Sequence, residues 1–475
     1  MGWSVSIFEA SDDVGGKAGS MTLDGYRFDT GPSLLTMPEV FDELFIEAGA
    51  RLEDYLRFIR LEEICRYFYS DGTRISAWSD ESRFAVGLQA ATGESPWNLH
   101  RFLDYSERIY RTAGDLFLRR SLRERSTYRS ATFWRSLVRF PAIDPIRTMA
   151  RAVEARFDTP HARQLFERYA TYNGSNPFRA PATFNLIPYV EYRRGAWAIE
   201  GGTYAISKAL EALARRIGVH VHTGTPVGAI TYETARRGRR RVTGIRVDGR
   251  HVASDIVICN VDISTAYPQL LDEENAPELV RYRKLEPSSS ALVFFWGVRG
   301  INRLLSSHNI LFSDDYRREF AAIFDEHRVS DDPTVYINIT SRTTPSDAPA
   351  DSENWFILVN APVDSGQDWV TEAQRTRAAV IRKVNERLGI DIEPHIAVER
   401  TMTPADIAAN TGSYRGALYG IASNSRTAAF LRHPNRSRRY RGLYFCGGST
   451  HPGGGMPLVV LSGKIVSDLV LHRES

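Results

Sequence analysis

The chain has 475 residues, 43% of them hydrophobic and 25% charged, a balance that suits a globular protein of two or three domains and excludes disorder as the dominant state. Sixty Lys and Arg stand against 57 Asp and Glu for a net charge of +3, so bulk charge gives no reason to expect a nucleic-acid partner. Cys65, Cys259 and Cys446 lie far apart with no CxxC pair, which speaks against a disulfide framework, a zinc knuckle or a dithiol centre and fits a reducing compartment.

The first residues carry no basic segment followed by an apolar one, so no secretory signal is expected. The longest apolar stretch, near 291–298, is far short of the ~20 residues that cross a bilayer. Val5, Ile7 and Phe8 predict a short strand that runs into a glycine loop at Gly15, Gly16 and Gly19. Residues 23–28 read as one arm of a hairpin before a turn at Gly31 and Pro32, and 38–49 as a helix. A helical pattern with basic faces follows from 82 to 167. A second α/β unit opens at Ala196: strand 197–199, Gly201 and Gly202, helix 205–217, strand 219–222, a meander through Thr231 and 242–247, and a buried strand at 256–259. The run Arg236, Arg237, Arg239, Arg240 and Arg241 reads as a solvated hairpin tip. Strands recur at 290–296, 335–339 and 355–359, with a helix at 373–388. The chain closes with strand 442–446, a glycine loop and helix 457–471. These separated α/β pieces predict one domain interrupted by another, with 1–65, 190–265 and 430–475 in the first and 66–189 and 266–429 in the second.

Two constellations carry chemistry. Glu9 follows the first strand and precedes Gly15, Gly16 and Lys17; in dinucleotide-binding folds an acidic residue at the end of the second strand accepts hydrogen bonds from ribose hydroxyls. A surface turn with an incidental glutamate accounts for the same string. The second constellation is GLYFCGGSTHPGGGMPLVVLSGK, a strand, a loop with five glycines and a helix that starts at Pro457. Proline is well tolerated in a first turn, and the unpaired N–H groups and positive dipole end face whatever sits above the loop. HExxH, GxSxG and GxxxxGK[ST] strings are absent from the sequence, which removes the usual metalloprotease, serine-hydrolase and P-loop readings.

FEASDDVGGKAGS…FDTGPSLLTMP resembles the second strand and following loop of the phytoene desaturase and amine oxidase superfamily. YNGSNPFRAPATF and WAIEGGTYAISKALEAL are similar to the carotenoid desaturases in particular, and GGSTHPGGGMPLVVLSGK to their C-terminal flavin signature. The wording is nearest to the branch that introduces 3,4 double bonds into hydroxylated acyclic carotenoids. The resemblance implies an α/β fold in which a Rossmann-like FAD-binding domain is interrupted by a substrate domain of mixed sheet plus helices. It implies that Glu9 binds the adenosine ribose, that Gly15, Gly16 and Lys17 line the phosphate path, and that Val227 meets the adenine through its backbone. Gly31 and Pro32 would approach the flavin ring, and Gly448, Gly455, Met456 and Pro457 would hold its far side. Arg163 matches a family arginine considered for the substrate channel; His451 reads as a local hydrogen-bonding group. The family's first strand and GxGxxG loop precede the strand equivalent to 5–8, so about 25 to 30 further residues are expected upstream of Met1.

The implied activity is FAD-dependent desaturation of an acyclic carotenoid, either 3,4-desaturation of a hydroxylated carotenoid or phytoene-type desaturation, with a quinone or dioxygen as electron acceptor. Phe184, Ile187, Tyr189, Phe294 and Trp296 suit an apolar channel, and a hydrophobic core explains each equally well. The arginine-rich segment 119–151, with Phe133, Trp134, Leu137 and Val138 on one helical face, predicts peripheral association with the inner face of the cell membrane from the cytoplasm. A flavin amine oxidase, another isoprenoid oxidoreductase, and a non-catalytic carotenoid-binding protein stand as alternatives, because fold does not fix function.

Overall fold

The computed structural model describes residues 3–121, 124, 127–128, 134, 140–234, 240–425 and 432–474. Phe133, Leu137 and Val138, and Arg236, Arg237 and Arg239 of the arginine run, lie outside the described residues.

Two parallel ribbons, each built from distant parts of the chain, form the α/β portion. Ser6–Phe8 pairs with His220–His222, and Val257–Cys259 pairs with Leu443–Phe445. Parallel pairing needs a long crossover. The first ribbon has the helix Tyr204–Arg216 leading into His220–His222, and the second is followed by the helix Met456–Glu474. Among the described residues each ribbon has two strands. Ser6–Phe8 thus has a neighbour on one side, and its aliphatic Val5 and Ile7 are 46% and 44% exposed. Beside these ribbons lies the meander Val227–Thr234, Arg240–Val247 and Arg250–Ala253. Asp248 and Gly249 join the last two strands with φ of 48° and 76°, the doubly left-handed two-residue turn whose twist matches that of a hairpin.

The rest of the chain builds one seven-stranded mixed sheet in the order Ile396–Met402, Ser290–Arg299, Ser352–Ala361, Val335–Ile339, His308–Leu311, Glu63–Phe68, Arg74–Trp78. Its second strand, Ser290–Arg299, is buried on both faces up to Val298, and the period-2 alternation of side chains sends them to different partners. Leu292, Phe294, Trp296 and Val298 pack with Val380, Val384 and Leu388 of the helix Trp369–Leu388. Ala291, Val293 and Phe295 pack with Tyr26 and Phe28 of the N-terminal hairpin. Phe294 and Trp296 are therefore core residues beneath a helix.

The long helical pattern resolves into Glu81–Thr92, Pro96–Arg119, Met149–Glu154 and Pro160–Glu167. Gly93, with φ 76°, and Pro96 break the first two apart. Their apolar faces form a cluster rich in aromatic rings, with Phe84, Phe102, Phe157 and Phe166 at its centre. The strand Glu63–Phe68 spans the boundary expected at 65 and belongs to the large sheet.

Candidate cofactor and substrate site

Glu9 leaves the first ribbon through backbone bonds that hold it beside the segment leading to Val227: its N–H donates to the His222 carbonyl at 2.8 Å, and its carbonyl accepts from Thr225 at 2.8 Å. Val227 and Phe8 pack against the same apolar cluster. One carboxylate oxygen of Glu9 accepts the Ser11 N–H at 2.8 Å. The glycine loop then turns back on itself. The Gly15 carbonyl accepts from Ala18 at 2.9 Å, and a Cβ at Gly16, where φ is 54°, would meet nothing within 4 Å.

Gly31 is required by close approach. A Cβ there would lie 1.8 Å from the Lys17 carbonyl oxygen, a backbone atom that cannot swing aside. Positions 17 and 31 are thus back to back. Next to them, Thr203 donates through its hydroxyl to the Pro32 carbonyl at 2.6 Å. Asp29 closes the N-terminus of the helix Tyr204–Arg216, accepting the Thr203 N–H at 2.8 Å and the Tyr204 N–H at 3.2 Å, with Arg27 at 2.7 Å as counter-charge. Sequence reasoning missed this role, although Asp29 stands in the quoted FDTGPS string.

The Lys17 ammonium does not extend into open space. It donates to the carbonyls of Ala417 and Leu418, each at 2.9 Å, and burial lowers its pKa to about 8, with Asp262 acting the other way. Those carbonyls begin a segment that meets the C-terminal glycine loop: a Cβ at Gly454 would lie 2.9 Å from the Tyr419 Cα. Buried Arg432 locks the contact, donating to the carbonyls of Tyr419 (3.1 Å), Gly448 (3.3 Å) and Ile421 (3.2 Å) and to Asn173 Oδ1 (3.1 Å). Burial brings its pKa down to about 10. The glycine loop itself hangs on hydroxyl and amide donors. Ser462 and Asn435 both donate to the His451 carbonyl, at 2.9 and 2.7 Å, and Thr450 donates to the Gly447 carbonyl at 2.9 Å. His451 bonds through Nε2 to the Arg120 carbonyl at 2.8 Å, a hydrogen bond to a segment 331 residues away in place of the local one the sequence suggests.

The structure thus brings Glu9 and Val227 together at one end. It links Gly15, Gly16, Lys17, Gly31 and Pro32 to Gly448 through the segment 417–421, with Gly455, Met456 and Pro457 at the start of the C-terminal helix. Arg163 has a local part: its Nε donates to the Phe157 carbonyl at 2.9 Å, around the N-terminus of its own helix. Five residues on, Arg168 turns into the core and pairs with Glu191 at 3.1 Å. Both are buried, at 5% and 0% exposure. Their partnership crosses from the short helix Arg168–Asn173 to Ile187–Tyr192, and helical spacing alone gives no signal for it. Among the described residues there is no cluster of His, Cys, Asp and Glu that would hold a metal ion.

The chain is 42% identical over 475 residues to a 1-hydroxycarotenoid 3,4-desaturase from a Flavobacterium species, covering all of this chain and 95% of the relative. It is 34% identical over 473 residues to a 4,4'-diapolycopene oxygenase from a Methylomonas species, covering 99% of this chain and 94% of the relative. The fold is shared with an oxidoreductase from Methanosarcina mazei at a TM-score of 0.62 and 13% identity, over 98% of this chain and 94% of that one. The flavin containing amine oxidoreductase family matches residues 1–471, and the chain belongs to that family.

Proposed function

We propose that this protein is an FAD-dependent carotenoid desaturase that introduces the 3,4 double bond beside a hydroxylated end of an acyclic carotenoid. The observation that carries the reading is 42% identity, without a break in coverage, to a 1-hydroxycarotenoid 3,4-desaturase.

The donor and acceptor set suits FAD. Glu9 offers a carboxylate at the end of a parallel strand for a ribose, and one of its oxygens is taken by Ser11. Gly16 opens onto free space, where a dinucleotide backbone can approach. At the other end the helix Met456–Glu474 presents N–H groups that lack intrahelical acceptors, and Pro457 in the first turn removes one donor that no helical bond would use. In this reading Gly15 and Gly16 line the phosphates with Lys17, which contributes through its backbone because its ammonium is occupied. Val227 meets the adenine, Gly31 and Pro32 face the flavin ring, and Gly448, Gly455, Met456 and Pro457 support its far side. FAD supplies the two-electron acceptor for the hydrogen removed from carbon.

The chain's own task is then positioning and exclusion of water. A cation next to a conjugated polyene is delocalised, so a strong base is not required, and the part of Arg163 would be to line the substrate channel. Half-buried Phe184, Leu186 and Ile187 pack on the aromatic cluster and suit the wall of an apolar channel. No described helix is long and apolar enough to cross a membrane. Trp134 and Ile146, 57% and 69% exposed in the arginine-rich segment, support contact with an anionic membrane surface on its cytoplasmic face, from which the polyene would enter. A quinone or dioxygen would reoxidise the flavin.

Expression in a host that accumulates acyclic carotenoids, with and without a terminal hydroxyl, tests the reading by pigment analysis. A product with one more conjugated double bond from the hydroxylated precursor is expected. Unchanged pigment in every host would refute it.

A further inference from the structure

At the heart of the aromatic cluster sits a connected group of polar side chains. Arg168 donates to the Tyr67 hydroxyl (3.0 Å from Nε, 2.5 Å from Nη2), to the Tyr169 hydroxyl (3.0 Å) and to Glu191 Oε1 (3.1 Å). Tyr169 donates to Glu191 Oε1 at 2.7 Å, and Tyr172 donates to Glu191 Oε2. Apolar residues of similar volume commonly replace such a buried ion pair with no loss of stability, so its presence in a core of phenylalanines points to function.

Tyr172 is the tyrosine of the group that keeps some exposure. Tyr67 and Tyr169 are fully buried, whereas Tyr172 is half-buried at the rim of the cluster. Its hydroxyl hydrogen goes to Glu191 and Arg168 hydrogen-bonds its oxygen, which leaves one lone pair to accept from an incoming O–H. The surroundings place this rim between the two segments proposed to meet the flavin. On one side, the next residue, Asn173, accepts from Arg432, whose guanidinium also reaches the Gly448 carbonyl. A Cβ at Gly174 would lie 2.9 Å from the Tyr419 ring, and Tyr419 packs on Gly454. On the other side, His308 is held neutral, its pKa brought down to about 4 by burial and then by the charge of Arg168. Its Nδ1 bonds the Tyr336 hydroxyl at 2.8 Å, and that hydroxyl bonds Ser33, the residue after Pro32, at 2.5 Å.

We infer that Tyr172, backed by Glu191 and Arg168, is the polar end of the substrate site and accepts a hydrogen bond from the terminal hydroxyl of the carotenoid. The inference rests on the desaturase reading above. The oxygen of a hydroxyl on carbon 1 is three bonds from carbon 3, the nearer carbon of a 3,4 bond. The group that recognises it must therefore lie beside the residues that approach the flavin, and this cluster does. A hydrocarbon terminus offers no donor, so the contact discriminates between the two kinds of substrate.

The test compares the full chain with Tyr172→Phe, which deletes one oxygen and keeps the ring. Dissociation constants for a 1-hydroxylated acyclic carotenoid and its hydrocarbon counterpart are measured by quenching of intrinsic fluorescence in detergent. KM and kcat for the same pair follow in the FAD-loaded protein. The parent is expected to prefer the hydroxylated compound, and Tyr172→Phe to weaken its binding about tenfold, chiefly in Kd and KM, with the hydrocarbon changed less than about twofold. Equal loss for both compounds, or no loss for either, would overturn the assignment. If neither compound is desaturated by the parent, the desaturase reading fails, and the binding preference still decides the role of Tyr172. Tyr172→His, which retains a hydrogen-bonding edge, is expected to keep part of the preference, and a variant with native flavin affinity but no preference excludes misfolding as the cause.

Discussion

Glu167 stands one residue before Arg168, buried at 6% exposure. Burial, and after it the charge of Glu154, raise its pKa to about 8. The folded chain therefore holds this proton more tightly than the unfolded chain, whose ordinary value is 4.5. The resulting stability is fully present below pH 4.5 and is lost as pH rises through about 8. Glu167→Gln removes the titration. It is expected to stabilise the protein by about 1 to 3 kcal/mol at pH 8 and to change little at pH 4.5. Urea unfolding at the two pH values checks this, and an equal effect at both would exclude the raised pKa. At this scale the sequence was legible where neighbours in the chain define the placement, as for Glu9 at the end of its strand and the glycine loop after it. It was not legible where the partner is remote. The acceptors of Lys17 lie 400 and 401 residues away. Arg163 and Arg168 sit on neighbouring helical segments, and only the fold of the segment carrying Glu191 decides which guanidinium turns inward.

The helix Tyr204–Arg216 shows how an element is held from outside itself. Its own N-cap, Thr203, makes no side-chain cap bond, and Asp29 from the hairpin supplies the acceptor for two of its N–H groups. Asp29→Ala leaves those donors buried and removes a partner of Arg27, so a loss of about 1 to 3 kcal/mol is expected in urea unfolding. An unchanged midpoint would mean that the cap contributes nothing. Elements with strong punctuation were readable in advance: the strand, five-glycine loop and Pro457 helix at the end, and the α/β unit opening at Ala196, with Gly201 and Gly202 between its strand and helix. The hairpin Glu63–Phe68 with Arg74–Trp78 escaped the reading even though Asp71 and Gly72 stand between its strands as a turn signal. His308–Leu311 escaped because four buried residues carry no period that separates strand from loop.

Across the whole molecule, segments near residues 9, 17, 31, 419, 448 and 456 are drawn into one connected region by backbone carbonyl acceptors and glycine contacts more than by charge pairs. The discontinuous α/β plan was visible in the recurrence of strand, glycine and helix at the start, middle and end of the chain. The strand pairing of the large sheet was not, since its order joins strands from residues 63 to 402 by contacts that local patterns do not encode. In the proposed function, a terminally hydroxylated polyene gives up hydrogen to FAD held by this chain. Anaerobic addition of a 1-hydroxylated acyclic carotenoid to the purified, FAD-loaded protein tests it most directly, with the visible flavin band and the carotenoid spectrum followed together. The account predicts that the flavin band bleaches while the carotenoid absorption moves to longer wavelength, one equivalent for one. A flavin band that stays oxidised with the carotenoid bound and its spectrum unchanged would contradict it.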